Sequence, residues 1–116
     1  MIIKPNKNST LGILLTIKYS LRGLYISLKN DQSFRTTLYL QLVILLIVFS
    51  VKKRIKPINI FLSLLSIIIE LINSSIEQTL DIAHPSYSPL VRDAKDTGSA
   101  FSFLYFVVSV YLQFKL

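Results

Sequence analysis

The stretch "INIFLSLLSIIIELINSSIEQTL", Ile58 to Leu80, decides how the chain is read. It is apolar throughout except for Glu70, Glu77 and a few amides and hydroxyls. A helix needs ~20 mostly apolar residues to cross a bilayer, and this run has them. At a helical repeat, Glu70, Asn73, Ser74, Glu77 and Asp81 share one side, while Ile68 and Ile72 lie opposite. Counting inward from the boundary at Pro57, Glu70 sits ~18 Å and Glu77 ~28 Å along the axis. Glu77 is thus expected near an interface, with Glu70 about two turns deeper. Buried acids can serve merely to hold helices together. Two acids, an Asn and a Ser on one face exceed what packing needs, and an acid inside a membrane points to a functional site.

Two more segments lack charge: "TTLYLQLVILLIVFSV", Thr36 to Val51, and "TGSAFSFLYFVVSVYLQF", Thr97 to Phe114. With Phe34 and its neighbours entering the membrane, the three expected spans are 34–51, 58–80 and 97–114. Core helices of a soluble bundle would show more polar outer faces than these do. Composition agrees with a membrane protein: 52% hydrophobic and 16% charged residues in 116, with a mean hydropathy of +0.56. That length has room for one domain, 1–116. There is no internal repeat, low-complexity tract or cleavable signal sequence. Cysteine is absent, which excludes disulfides, thiolate catalysis and cysteine-bound metal.

Ahead of the spans, "TLGILLTIKYSLRGLYISLKN", Thr10 to Asn30, mixes apolar and basic residues at helical spacing. Leu14, Ile17, Leu21, Leu24 and Leu28 form one stripe, and Lys18, Arg22 and Lys29 a neighbouring one. Such a helix suits the membrane surface, with its apolar stripe in the acyl region and its cations at the phosphates. The fold class is therefore all-α: an N-terminal amphipathic surface helix, residues 10–30, plus three transmembrane helices. The excess of 13 Lys+Arg over 6 Asp+Glu, net +7, fits anionic headgroups better than nucleic acid on so apolar a chain. With the N-terminus inside, Lys4, Lys7, Lys18, Arg22, Lys29, Arg35, Arg92 and Lys95 lie on the cytoplasmic side. Lys52, Lys53, Arg54, Lys56 and Lys115 then lie outside, so the charge rule favours this orientation only narrowly. "KKRIK", Lys52 to Lys56, reads as an interfacial anchor. His84, beside Pro85 in the second connection, reads as solvated.

Three short motifs are expected at one depth. "NDQSFR" places Asp31 after the surface helix, "AKDTGSA" brings Lys95 and Asp96 to the start of the last span, and Glu77 ends the polar stripe. A cation, acids and amides together can hold a divalent metal and a polyphosphate, since Mg²⁺ favours one or two carboxylates plus phosphate oxygens. Glu70, deeper and less solvated, suits the task of taking a proton from a lipid hydroxyl. No GxxxxGK[ST] loop or glycine-rich kinase loop is present.

On "NDQSFR", "ELINSSIE" and "AKDTGSA", in the family's order and at similar spacing, the chain resembles the small prokaryotic diacylglycerol kinases from about Tyr19 onward. The resemblance implies a homotrimer with active sites shared between subunits. It implies transfer of the γ-phosphoryl of MgATP to diacylglycerol at the cytoplasmic face of the bacterial inner membrane. By position, Glu70 resembles the general base and Asn73 an active-site amide. Glu77 and Asp31 resemble the acids that hold Mg²⁺, Asp31 being one methylene shorter than the family's usual Glu. Tyr19, Tyr87, Lys95 and Asp96 match residues around ATP, and Ser99 a position on the lipid side. Undecaprenol kinase, the sister branch, is the alternative acceptor reading. A small proton-coupled transporter or an inactive membrane subunit are the readings outside this activity.

Overall fold

The computed structural model describes residues 9–116, and within them four α-helices follow one another: α1 (Thr10–Asn30), α2 (Gln32–Lys52), α3 (Pro57–Ala83) and α4 (Pro89–Lys115). Lys4 and Lys7, counted above toward the charge balance, lie outside the described residues. Every one of the four helices is long and apolar enough to cross a membrane by length and composition. The chain divides into two compact units, with the boundary between Gln32 and Ser33.

In the first unit, Ser9 caps α1: its hydroxyl accepts a hydrogen bond from the Gly12 backbone N–H at 2.9 Å. Along the helix, the Thr16 hydroxyl donates to the Gly12 carbonyl and the Ser20 hydroxyl to the Thr16 carbonyl, both at 2.8 Å. Such back-bonding satisfies hydroxyls within their own helix, so that side needs no external partner. Leu14, Ile17, Leu21, Leu24 and Leu28 are all exposed, as are Lys18, Arg22 and Lys29. The Lys29 ammonium lies 5.9 Å from the centroid of the Tyr25 ring, one turn back. Both the apolar stripe and the basic stripe are therefore presented outward. Whether α1 lies on the membrane or enters it is taken up with the proposed function.

The second unit holds α2, α3 and α4. Pro57 stands at the start of α3 and Pro89 at the start of α4, where the missing N–H costs nothing. Between α2 and α3 the chain turns through Lys53, whose φ of 61° is left-handed and whose N–H closes on the Phe49 carbonyl at 2.8 Å. Asn59 then serves twice. Its side-chain oxygen accepts from the Lys56 N–H at 3.0 Å, fixing the start of α3, and its amide donates to the Gln113 carbonyl of α4 at 3.4 Å.

The interior of this chain is more polar than its outside. Among the described residues, the fully buried hydrophobics are Phe34, Ile44, Val48 and Leu62, against nine buried polar residues that include Gln41, Asn59, Ser63, Ser66, Ser109 and Gln113. Leu, Ile and Phe side chains meanwhile face outward along every helix. In water that pattern would be ruinous; in lipid it is expected. Lipid tails solvate leucine as well as a core does, so helices associate through small residues and hydrogen bonds instead. The bonds are present. Gln41 of α2 donates to the Ser66 hydroxyl of α3 at 3.1 Å, and Tyr105 of α4 donates to the Leu62 carbonyl of α3 at 2.7 Å. Within α4, Gln113 donates to the Ser109 hydroxyl at 3.2 Å.

Helix bounds and hydropathy bounds differ in an informative way. The apolar run of the last span begins at Thr97, but α4 begins eight residues earlier, at Pro89. Likewise α3 continues to Ala83, past the end of its apolar run. Hydropathy reports where lipid ends, whereas helix hydrogen bonding continues until a proline or a cap stops it. Only residues 84–88 are left non-helical between α3 and α4. Lys95 and Asp96 therefore sit on a rigid helix.

Candidate active site

The site is built from the later half of α3 and the first turns of α4. On α3 the polar stripe turns inward as its periodicity requires. Asn73 and Ser74 are buried and Glu70 and Glu77 half-buried, whereas Ile68 and Ile72 are half-exposed on the opposite face. Asp81, the last member of the stripe, reaches the open end of the helix pair.

Gly98 of α4 explains how closely the two helices meet here. A Cβ placed on Gly98 would collide with the Oδ1 of Asn73 and lie 3.4 Å from its Cγ. A larger residue would have to displace the buried Asn73 side chain or part the two helices, so this glycine serves close approach and not backbone freedom. The same Oδ1 of Asn73 is buried and accepts no hydrogen bond among the described residues. A buried acceptor left unpaired carries a free-energy cost of ~1–3 kcal/mol. Among the described residues, buried side-chain oxygens of Gln41, Ser63, Ser102 and Gln113 share that state, so it is a feature of the helix interior as a whole and not of the stripe alone.

One turn further, Glu77 has no ion pair or hydrogen bond to any described residue. Beyond it the Lys95 ammonium is held by the Asp81 carboxylate at 2.5 Å, bridging the end of α3 to the second turn of α4. The partner of Lys95 is thus Asp81 and not its sequence neighbour Asp96, which is exposed. Around this pair lies a cavity of about 350 Å³ lined by Asp81, His84, Tyr87, Arg92, Lys95 and Asp96, with Val91 and the remaining loop residues 85, 86 and 88. Arg92 reaches across the loop and donates to the Tyr87 hydroxyl at 3.2 Å, while its Nε and second terminal nitrogen contact Asp93 at 3.3 and 3.1 Å.

Of the residues expected from sequence, the structure brings Tyr87, Lys95 and Asp96 to one cavity, and Glu70, Asn73 and Glu77 to one face of α3. Ser99 is exposed, next to the Gly98 contact. Tyr19 is exposed on α1, and Asp31 caps the C-terminal end of α1, half-buried, with its N–H on the Ser27 carbonyl at 3.0 Å. These two belong to the first unit. Three cavity residues had no assigned role: Asp81, His84 and Arg92. Two had a legible signal, since Asp81 continues the Glu70–Glu77 stripe and Arg92 stands three residues before Lys95 on the same helix face. His84 is exposed at the rim, its ring 3.4 Å from the Ser86 carbonyl. Nothing in its own neighbourhood along the chain marks it out.

Among the described residues there is no cluster of three or more acids or histidines that would hold a metal unaided. Mg²⁺ does not require one, because it retains water and accepts phosphate oxygens alongside one or two carboxylates. Glu77, with hard oxygen donors and no competing cation among the described residues, fits that mode.

Four long apolar helices and a polar interior are those of a multi-pass α-helical membrane protein, and the acid-bearing stripe and the charged cavity make up its candidate site. A profile of the family "Prokaryotic diacylglycerol kinase" matches residues 18–115. The chain is 35% identical over 94 residues to the diacylglycerol kinase of Pseudomonas aeruginosa, covering 79% of this chain and 76% of that one. It is 32% identical over 94 residues to the diacylglycerol kinase of Haemophilus influenzae, covering 79% and 80%, and 28% identical over 100 residues to that of Helicobacter pylori, covering 84% and 78%. The chain belongs to the prokaryotic diacylglycerol kinase family.

Proposed function

We propose that this protein is an ATP-dependent lipid kinase that converts diacylglycerol and MgATP to phosphatidic acid and ADP at the cytoplasmic face of the bacterial inner membrane. The observation that carries the reading is the offset along α3: a half-buried carboxylate at Glu70, and two turns on a second at Glu77, leading to a cavity with Lys95. A lipid hydroxyl and a water-soluble nucleotide meet only where membrane and cytoplasm meet, and this stripe spans that step. Membership of the family supports the kinase over a proton-coupled transporter or an inactive subunit. The names of the relatives support diacylglycerol over undecaprenol as acceptor.

The chemistry asks for position and charge neutralisation more than for covalent help. The lipid hydroxyl oxygen attacks the γ-phosphorus, the bond to the β–γ bridging oxygen breaks, and ADP departs with that electron pair. Glu70 takes the hydroxyl proton, and Asn73, one turn on, is an active-site amide beside it. Lys95 leaves Asp81 to meet phosphate oxygens, while Asp96 and Tyr87 border the nucleotide and Ser99 the lipid. Tyr19 also borders the nucleotide. Mg²⁺ bound to ATP offsets negative charge on the phosphates, and Glu77 and Asp31 are its carboxylate ligands. The surface reading of α1, with exposed leucines in the acyl region and lysines at the headgroups, and a homotrimer with shared sites complete the proposal.

The direct test supplies purified protein in mixed micelles with labelled MgATP and either diacylglycerol or undecaprenol. Labelled phosphatidic acid is the expected product. Turnover confined to undecaprenol would move the protein to the sister activity, and absence of both would sink the kinase reading.

A further inference from the structure

The cavity beside Lys95 contains a second cation whose hydrogen-bonding capacity is only partly used. A guanidinium carries five N–H donors. Arg92 spends one on the Tyr87 hydroxyl and two on the Asp93 carboxylate, so two terminal N–H groups have no partner among the described residues. Lys95, by contrast, is already paired with Asp81. Counting the groups that line the cavity, Arg92 and Lys95 are balanced by Asp81 and Asp96, so a polyphosphate arriving there meets no net positive charge. Something must offer it donors without first breaking an ion pair. A planar fork with two open N–H groups does this, because it engages phosphate oxygens in pairs while its other edge stays anchored.

We propose that Arg92 is a phosphate-binding residue of the nucleotide cavity, giving two guanidinium N–H groups to the polyphosphate of ATP while its bond to the Tyr87 hydroxyl fixes that ring at the cavity wall. The inference rests on the nucleotide reading of the cavity and goes beyond it. Arg92 takes the first hold on the phosphates, and Lys95 transfers to them from Asp81 afterwards. Asp93 sets the strength of that hold by sharing the guanidinium charge. Because Arg92 and Asp93 are both well exposed, solvent weakens each contact, and the effect expected is moderate.

The test is titration of the intact protein in micelles with the fluorescent analogue TNP-ATP, together with KM values for MgATP and for diacylglycerol. Arg92→Gln should weaken TNP-ATP binding and raise the KM for MgATP by roughly three- to tenfold, with the KM for diacylglycerol and kcat within about twofold. Arg92→Lys should recover part of the loss, since it restores charge without the fork. Asp93→Asn should tighten TNP-ATP binding. If Arg92→Gln binds the nucleotide as wild type does while Lys95→Gln does not, the role of Arg92 is overturned and the cavity reading stands. If both variants bind as wild type does, the nucleotide is elsewhere and both readings fall. Arg92 lies outside the packed helix faces, so loss of fold does not confound the comparison.

Discussion

The two halves of α3 are both polar inside a membrane span, yet they are polar in opposite ways. From Asn59 to Ser66 the polar side chains are neutral and buried, and α2 and α4 bond to this stretch through Gln41, Gln113 and Tyr105. From Glu70 to Asp81 the stripe includes acids: Glu70 and Glu77 are half-buried, Asn73 and Ser74 between them are buried, and Asp81 is exposed at a charged cavity. The first half behaves as adhesive. Its amides and hydroxyls reach across to α2 and α4, although Ser63 Oγ, Gln41 Oε1 and Gln113 Oε1 stay without a partner among the described residues. The second half differs in carrying ionisable groups, among them a Glu77 carboxylate without a cation among the described residues. Polarity in a membrane helix is therefore not one signal. Neutral groups that can be satisfied by neighbouring helices hold the bundle, whereas ionisable groups are tolerated for what they do.

The comparison breaks most sharply at Glu70. Glu70→Gln keeps the shape but removes the base, and kcat in the micelle assay should fall by ~10²–10⁴ with unfolding in detergent titration unchanged. Retained turnover would put Glu70 among the adhesive residues instead. Next comes Gly98, where the active half depends on close approach. Gly98→Val should destabilise the protein by ~1–3 kcal/mol and depress turnover, because the new side chain meets Asn73. Adding Asn73→Ala should recover much of the stability and none of the activity. If the double variant is no more stable than the single one, Asn73 is not the obstacle.

The neutral half should respond in stability alone. Ser66→Ala strands the Gln41 amide and should cost ~1 kcal/mol, while Ser66→Ala with Gln41→Leu should be close to neutral, as expected when both partners of a hydrogen bond are removed together. Turnover of either variant should remain within twofold of wild type; a tenfold loss would show that the two halves are coupled. The smallest effect is expected at Asp31. Asp31→Glu should keep or modestly raise activity at saturating Mg²⁺, and a large loss would mean that the metal site is built around the shorter side chain.

Much of the candidate site was readable along the chain because it depends on a single helix. The 100° repeat alone places Glu70, Asn73, Glu77 and Asp81 on one side, and it puts Ile68 and Ile72 opposite, where they are exposed. The pairing of Lys95 with Asp81 was not readable. It joins residues 14 apart across a loop, and the adjacent Asp96 was the nearer candidate in sequence. The spacing of Arg92 from Lys95 was readable, but its contact with Tyr87 was not, since that depends on how residues 84–88 fold back. The neutral seam was legible only in outline. Ser and Asn are common in membrane helices, and nothing local distinguishes Ser66, bonded to Gln41, from Ser50, bonded to its own helix.

The sequence by itself determined the elements and their character: apolar runs reach spanning length, prolines start α3 and α4, and two acids two turns apart share one face of α3. These follow from transfer free energy and helical periodicity, which act within a single segment. Only the tertiary structure decided which polar groups bond from one helix to another and which do not. That distinction depends on what stands opposite each side chain, such as Gly98 against Asn73 or Asp81 against Lys95. A hydrogen bond or a steric limit between two helices is a property of the pair, and neither strand of sequence contains it alone.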